Sequence, residues 1–239
     1  MCFIKALSES KTHCGFYPSI NVIFNPPYNM RLFIIFFIIF MPTNIITGQH
    51  YLFYLHGKII EDQGVNAIDT INGYGAYQYE DILNAFRKAN FTVLGEVRPK
   101  DTNPVEYAHK VVHQVDSLLQ NGVKPNDITV VGASKGAIIS MFISSYLKNK
   151  DINFVFLAGC NDGILNSFPE IQFCGNILSI YERSDDIGHS CSKFEKRTLL
   201  AIPHYKEIEL NTGLKHGFLY KPLPEWIEPA IKWAENNYQ

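Results

Sequence analysis

Clustered charge, internal repeats and metal-ligand spacings are absent from this chain. Its 21 Lys and Arg against 23 Asp and Glu leave a formal net charge of −2, and the basic residues are scattered, without a run or an interleaved aromatic series. Nucleic acid, which is held through concentrated positive charge, is therefore not an expected partner. The five cysteines and eight histidines form no C-x-x-C or His/Cys grouping of zinc-site spacing, so no structural zinc is expected. No repeat or low-complexity tract occurs, which excludes solenoids and arrays.

What is present suits one globular domain with a sizeable core: 239 residues, 46% hydrophobic and 18% charged. The exception is the uncharged block Leu32–Met41, preceded by Met30-Arg31 and followed by Pro42 and Gly48. Ten apolar residues are short of the ~20 that cross a bilayer. A basic start, a short apolar core, a helix breaker and a small residue fit a secretory signal peptide over 30–48, beginning at Met30 and cleaved near Gly48. Residues 1–29 are read as an upstream or disordered extension, and 49–239 as the folded domain. The protein is thus expected to be secreted or periplasmic, or membrane-anchored if the block is retained. Loss of residues 1–48 removes Lys5, Lys11, Arg31 and Glu9, leaving 18 basic against 22 acidic residues. It also leaves Cys160, Cys174 and Cys191, of which Cys174 and Cys191 could bridge across a strand; the alternative is that all three are buried thiols.

From residue 50 onward, short β-rich runs alternate with helical patterns, which predicts an α/β fold with a mostly parallel sheet and helices on both faces. Strands are expected at 51–55, 91–97, 128–131, 153–159, 176–182 and 205–210. Helical spacing occurs over 79–89, over 104–119 with Asn103 as cap and Val105, Ala108, Val112, Val115 and Leu119 on one face, and from Pro224 onward, where Pro229 invites a kink. Asn72-Gly73-Tyr74-Gly75 lacks the third glycine and preceding strand of a dinucleotide fingerprint and is read as a loop.

Gly132-Ala133-Ser134-Lys135-Gly136 joins the apolar run 128–131 to the helical run 137–143. A G-x-S-x-G at a strand-to-helix junction is the pattern of a nucleophile elbow, whose turn tolerates only small flanking residues and leaves the serine exposed at a helix N-terminus. A serine needs a base to take its proton and an acid to orient the base. His216, after the last strand, is the best-placed histidine, with His189 as runner-up. Arg183-Ser184-Asp185-Asp186 supplies the acid, Asp185 ahead of Asp186, with loop capping as the plain alternative. The backbone NH of Lys135 and that of Lys58, after His56-Gly57, are the candidate oxyanion donors. Tyr74, Tyr77 and Tyr79 either line a substrate entrance or are ordinary half-buried tyrosines. Glu61 and Asp62 either discourage anionic substrates or form a solvated face.

His-Gly after the first strand, Gly-x-Ser-x-Gly after a later one, then acid and histidine in that order resembles the α/β-hydrolase superfamily over nearly all of residues 50–239. The resemblance implies a serine hydrolase acting on a small-molecule ester or related acyl bond through Ser134, His216 and Asp185, with no metal or organic cofactor, and the apolar block after Met30 makes it an exported one. The superfamily also contains inactive members, so a binding or effector protein on the same scaffold is the alternative. No early antiparallel strands precede 51–55 in the expected domain, and no cap insertion follows 153–159, which implies a minimal, open core.

Overall fold

The computed structural model describes residues 48–239; the expected extension (1–29) and signal peptide (30–48) lie, Gly48 apart, outside the described residues. The strands are β1 (Tyr51–Leu55), β2 (Ile68–Asp69), β3 (Gly75–Ala76), β4 (Thr92–Gly95), β5 (Ile128–Ala133), β6 (Asn153–Leu157), β7 (Asn176–Glu182) and β8 (Tyr205–Leu210). The helices are α1 (Lys58–Gln63), α2 (Tyr79–Lys88), α3 (Pro104–Gln120), α4 (Lys135–Leu147), α5 (Asp162–Ser167), α6 (Ser192–Arg197) and α7 (Pro224–Ala234).

Six strands form one parallel sheet in the order β4-β1-β5-β6-β7-β8. Because side chains alternate across a strand, each central strand feeds two cores. Leu52, Tyr54, Val131, Val155, Leu178 and Ile180 point to one side, where α2 and α7 bring Phe86, Trp226 and Trp233. Phe53, Leu55, Val130, Phe154, Phe156 and Ile177 point to the other, against Val111 and Val115 of α3 and Phe142 and Ile143 of α4. Parallel registry then sets the carboxyl ends of the strands side by side, with Leu55 opposite Gly132, Ala133 opposite Leu157 and Glu182 opposite Leu210. This is the edge at which open α/β sheets bind ligands.

Several local expectations change. Strands 91–97 and 153–159 shorten to Thr92–Gly95 and Asn153–Leu157, the latter stopped where Ala158 turns to φ 49°. Asn103 caps α3, accepting from the Val105 and Glu106 NH groups at 2.9 and 3.2 Å. The buried face of that helix is Tyr107, Ala108, Val111 and Val115, rotated from the expected one because Tyr107 packs inward. Pro229 does not interrupt α7. Part of the 72–75 loop belongs to a small antiparallel hairpin, in which Ile68 pairs with Ala76 and Asp69 with Gly75.

The disulfide joins Cys160 to Cys191, and Cys174 is a buried free thiol. Cys174 and Cys191 lie beyond opposite ends of the seven-residue β7, separated by roughly 20 Å of strand. Cys160 follows β6 at the same end as Cys191, and its carbonyl accepts the His189 NH at 2.7 Å.

Candidate active site

The elbow is built as its glycines require. A Cβ on Gly136 would stand 1.9 Å from the Leu55 carbonyl oxygen, and one on Gly132 would stand 2.3 Å from that of Gly136. The start of α4 can therefore reach the end of β1 only without side chains at these two positions. Ser134 itself has φ 54° and ψ −118°, a sparsely populated conformation costing on the order of 1–3 kcal/mol. The fold holds it there through the Ser134 NH, which donates to the Leu157 oxygen at 2.8 Å, and the Ser134 carbonyl, which accepts from Ala137 at 2.8 Å.

Across the strand ends, the Ser134 hydroxyl lies 2.9 Å from His216 Nε2, and His216 Nδ1 lies 2.7 Å from Asp185 Oδ2. A carboxylate only accepts, so Nδ1 carries the ring proton and Nε2 is left to accept from the serine hydroxyl. Asp185 is 3% exposed, and its second oxygen accepts the Ile187 NH at 2.9 Å. Asp186 does not share this place: its side chain is 84% exposed and stands 3.5 Å from Lys215. His189, the other candidate base, is exposed and lines an open groove of about 660 Å³ with Asn161, Asp162, Ile187, Ser190 and Lys193.

Ser134 and His216 open into a smaller cavity of about 180 Å³, walled by Ile59, Tyr74, Tyr77, Leu219 and Tyr220, with Asp69 and Asn72 also lining it. Tyr74 and Tyr77 thus reach the cavity. Tyr79 does not; it is buried with its ring edge-on to His56. Gly57 sits against the serine, for a Cβ there would come within 3.5 Å of Ser134 Cβ. Lys58 and Lys135 are the first residues of α1 and α4, and NH groups at such positions have no partner within their own helix. The geometry can therefore support hydroxyl activation by an oriented imidazole beside two helix N-termini that favour negative charge.

Three buried charges at this edge had no clear sign in the sequence. Glu182 receives hydrogen bonds from the Thr212 NH and hydroxyl at 2.8 Å each and from the Ser184 hydroxyl at 3.1 Å. Burial opposes its charge, but these bonds outweigh burial and hold the carboxyl below its ordinary value. It fastens the loop carrying Asp185 to the loop carrying His216. Glu61 is neither a solvated residue nor one facing substrate: it is 4% exposed and bonded to Lys135 and Arg98, while Asp62 pairs with Lys58 at 2.6 Å. Arg98, 1% exposed, donates from its guanidinium to the His56 carbonyl and from its backbone NH to His56 Nε2. His56 Nδ1 in turn donates to the Gly57 carbonyl at 2.8 Å. Protonation would point Nε2–H at the Arg98 NH; burial and the Arg98 charge accordingly push this imidazole down to about 4.

No protein-family model matches the chain, and no curated protein of similar sequence was found. Among solved structures it is similar to one of two fungal esterases from Rhizomucor miehei, at 14% identity and TM-score 0.52, covering 80% of this chain and 76% of that one. Est1E from Butyrivibrio proteoclasticus matches at 12% identity and TM-score 0.52, over 82% and 91% of the two chains. A CIB-like hydrolase from Thermoplasma acidophilum matches at 14% identity and TM-score 0.51, over 80% and 88%. The chain has the α/β-hydrolase fold.

Proposed function

We propose that the protein is an exported serine hydrolase that cleaves an ester or related acyl bond. The observation that carries this reading is the relay from the strained Ser134 through His216 to the buried Asp185, with contacts of 2.9 and 2.7 Å. His216 takes the hydroxyl proton as Ser134 Oγ bonds to the substrate carbonyl carbon, while Asp185 stabilises the imidazolium. The Lys58 and Lys135 NH groups receive the oxyanion. Collapse of the tetrahedral species breaks the bond to the leaving group, which takes the proton from His216. Water, deprotonated by the same imidazole, then releases the acid and frees the serine.

The cavity beside Ser134 is about 180 Å³, below the ~300–1,000 Å³ of sites for drug-sized ligands. The enclosed part of the substrate is therefore small, a short acyl chain or a single ring. Export is supported by two features: the apolar block after Met30, and the Cys160–Cys191 disulfide, a bond that persists in oxidising compartments. With p-nitrophenyl esters of graded chain length, turnover should be higher on short acyl chains than on long ones and vanish in Ser134→Ala. No turnover by wild type on esters, thioesters or amides would favour a binding protein on this scaffold.

A further inference from the structure

The two oxyanion donors belong to segments far apart in sequence, the turn after β1 and the elbow, and something must fix the gap between them. Glu61 lies in α1, three residues after Lys58. Its Oε1 accepts from Lys135 Nζ at 2.6 Å and from the Thr102 NH at 3.1 Å, and its Oε2 accepts from Arg98 Nε at 3.3 Å. Lys135 Nζ also donates to the Thr102 carbonyl at 2.7 Å. Arg98 closes the figure by donating to the carbonyl of His56, whose ring is fixed by the Arg98 NH and the Gly57 carbonyl. The Arg98 guanidinium also faces the Tyr107 ring, 5.5 Å from its centroid, so it is held on the α3 side as well. The side chains of Glu61 and Arg98 are 0% exposed and that of Lys135 is 19% exposed.

We propose that Glu61, Arg98 and Lys135 are positioning residues that set the spacing of the oxyanion hole. This inference rests on the serine-hydrolase reading. Lys135 supplies one donor from its backbone and ties that donor, through its own side chain, to the helix that begins with the other. Two cations and one carboxylate leave one net positive charge behind the hole, but geometry and charge can be separated. Glu61→Gln keeps one acceptor oxygen but sets an amide NH2 against Lys135 Nζ or Arg98 Nε, so it breaks one arm of the tie while making the cluster more positive. A purely electrostatic role predicts faster turnover or none lost; positioning predicts slower turnover. An error of about 1 Å in such placement is worth roughly 100-fold in rate.

The experiment is steady-state hydrolysis of a short-chain ester by wild type, Glu61→Gln, Lys135→Met and Lys135→Arg, with folded fraction measured by near-ultraviolet circular dichroism. An ester boronic acid analogue serves as inhibitor, because it places a charged oxygen in the hole. The expected result is a kcat lowered roughly 10- to 100-fold per folded molecule in the first two variants, with KM within about threefold. Inhibitor binding should weaken in parallel, and Lys135→Arg should recover most of the loss. If Glu61→Gln does not fold, the two Lys135 variants decide. Wild type active and Lys135→Met equally active per folded molecule would overturn the positioning role; wild type inactive throughout would instead sink the hydrolase reading.

Discussion

Replacing Cys160 and Cys191 together by alanine should remove about 3.7 kcal/mol of stability. The bridge closes a loop with a sequence separation of 31. The chain-entropy relation for a loop of that size gives roughly −12 cal/mol/K for the unfolded chain, which is about 3.7 kcal/mol at 25 °C. Native contacts around the bridge should survive, since the His189 NH still meets the Cys160 carbonyl and Phe194 remains packed in the core. For a domain of this size the loss corresponds to about 7–15 °C in melting temperature. Urea unfolding followed by the fluorescence of buried Trp226 and Trp233 reports the difference between the oxidised protein and the double variant. A difference below about 1 kcal/mol would refute the entropic reasoning. Alkylation of Cys160 and Cys191 in the native oxidised protein, mapped by mass spectrometry, would refute the pairing itself.

Asp185→Asn should lower kcat about 10⁴-fold, because an amide in place of the carboxylate favours the wrong imidazole tautomer. Asp186→Asn, at an exposed position paired only loosely with Lys215, should change it less than about twofold; the larger loss in Asp186→Asn would reverse the assignment of the acid. His56, with its folded pKa pushed down to about 4 from 6.5, stays neutral in the fold while the unfolded chain takes up a proton. Its contribution to stability is full above pH 6.5 and is lost as pH falls from there to about 4, a change of roughly 3 kcal/mol. Urea midpoints across that range should show the fall, and His56→Asn should flatten it; an identical slope in the variant would exclude His56 as the source. Glu61 and Glu182, both held below their ordinary values, contribute stability above about pH 4.3 that disappears only as pH falls through their lower folded values.

The middle of the sheet was legible because its central strands are buried on both faces. Runs such as 176–182 are apolar enough to stand out, and turn residues bound them. The elbow was legible because glycine is demanded where helix and strand nearly touch, so the steric constraint is written into residue type. That Ser134, Asp185 and His216 meet could be expected because each follows a recognisable strand of one parallel sheet. The polar network was not legible. Glu61 meets partners 37 and 74 residues away, and a charged residue on a short helix looks the same in sequence whether it faces solvent or a buried guanidinium. The disulfide pairing failed for a related reason: Cys174 and Cys191 are nearer in sequence, but β7 holds them at opposite ends of the sheet. The hairpin of β2 and β3, with two residues in each strand, is too short for its alternation to register.

The most direct test of the central claim is to map a fluorophosphonate adduct by mass spectrometry. Wild type should carry one adduct, on the peptide containing Ser134, at a rate that falls sharply in His216→Ala and to zero in Ser134→Ala. An adduct on another residue, or undiminished labelling of Ser134→Ala, would contradict Ser134 as the nucleophile.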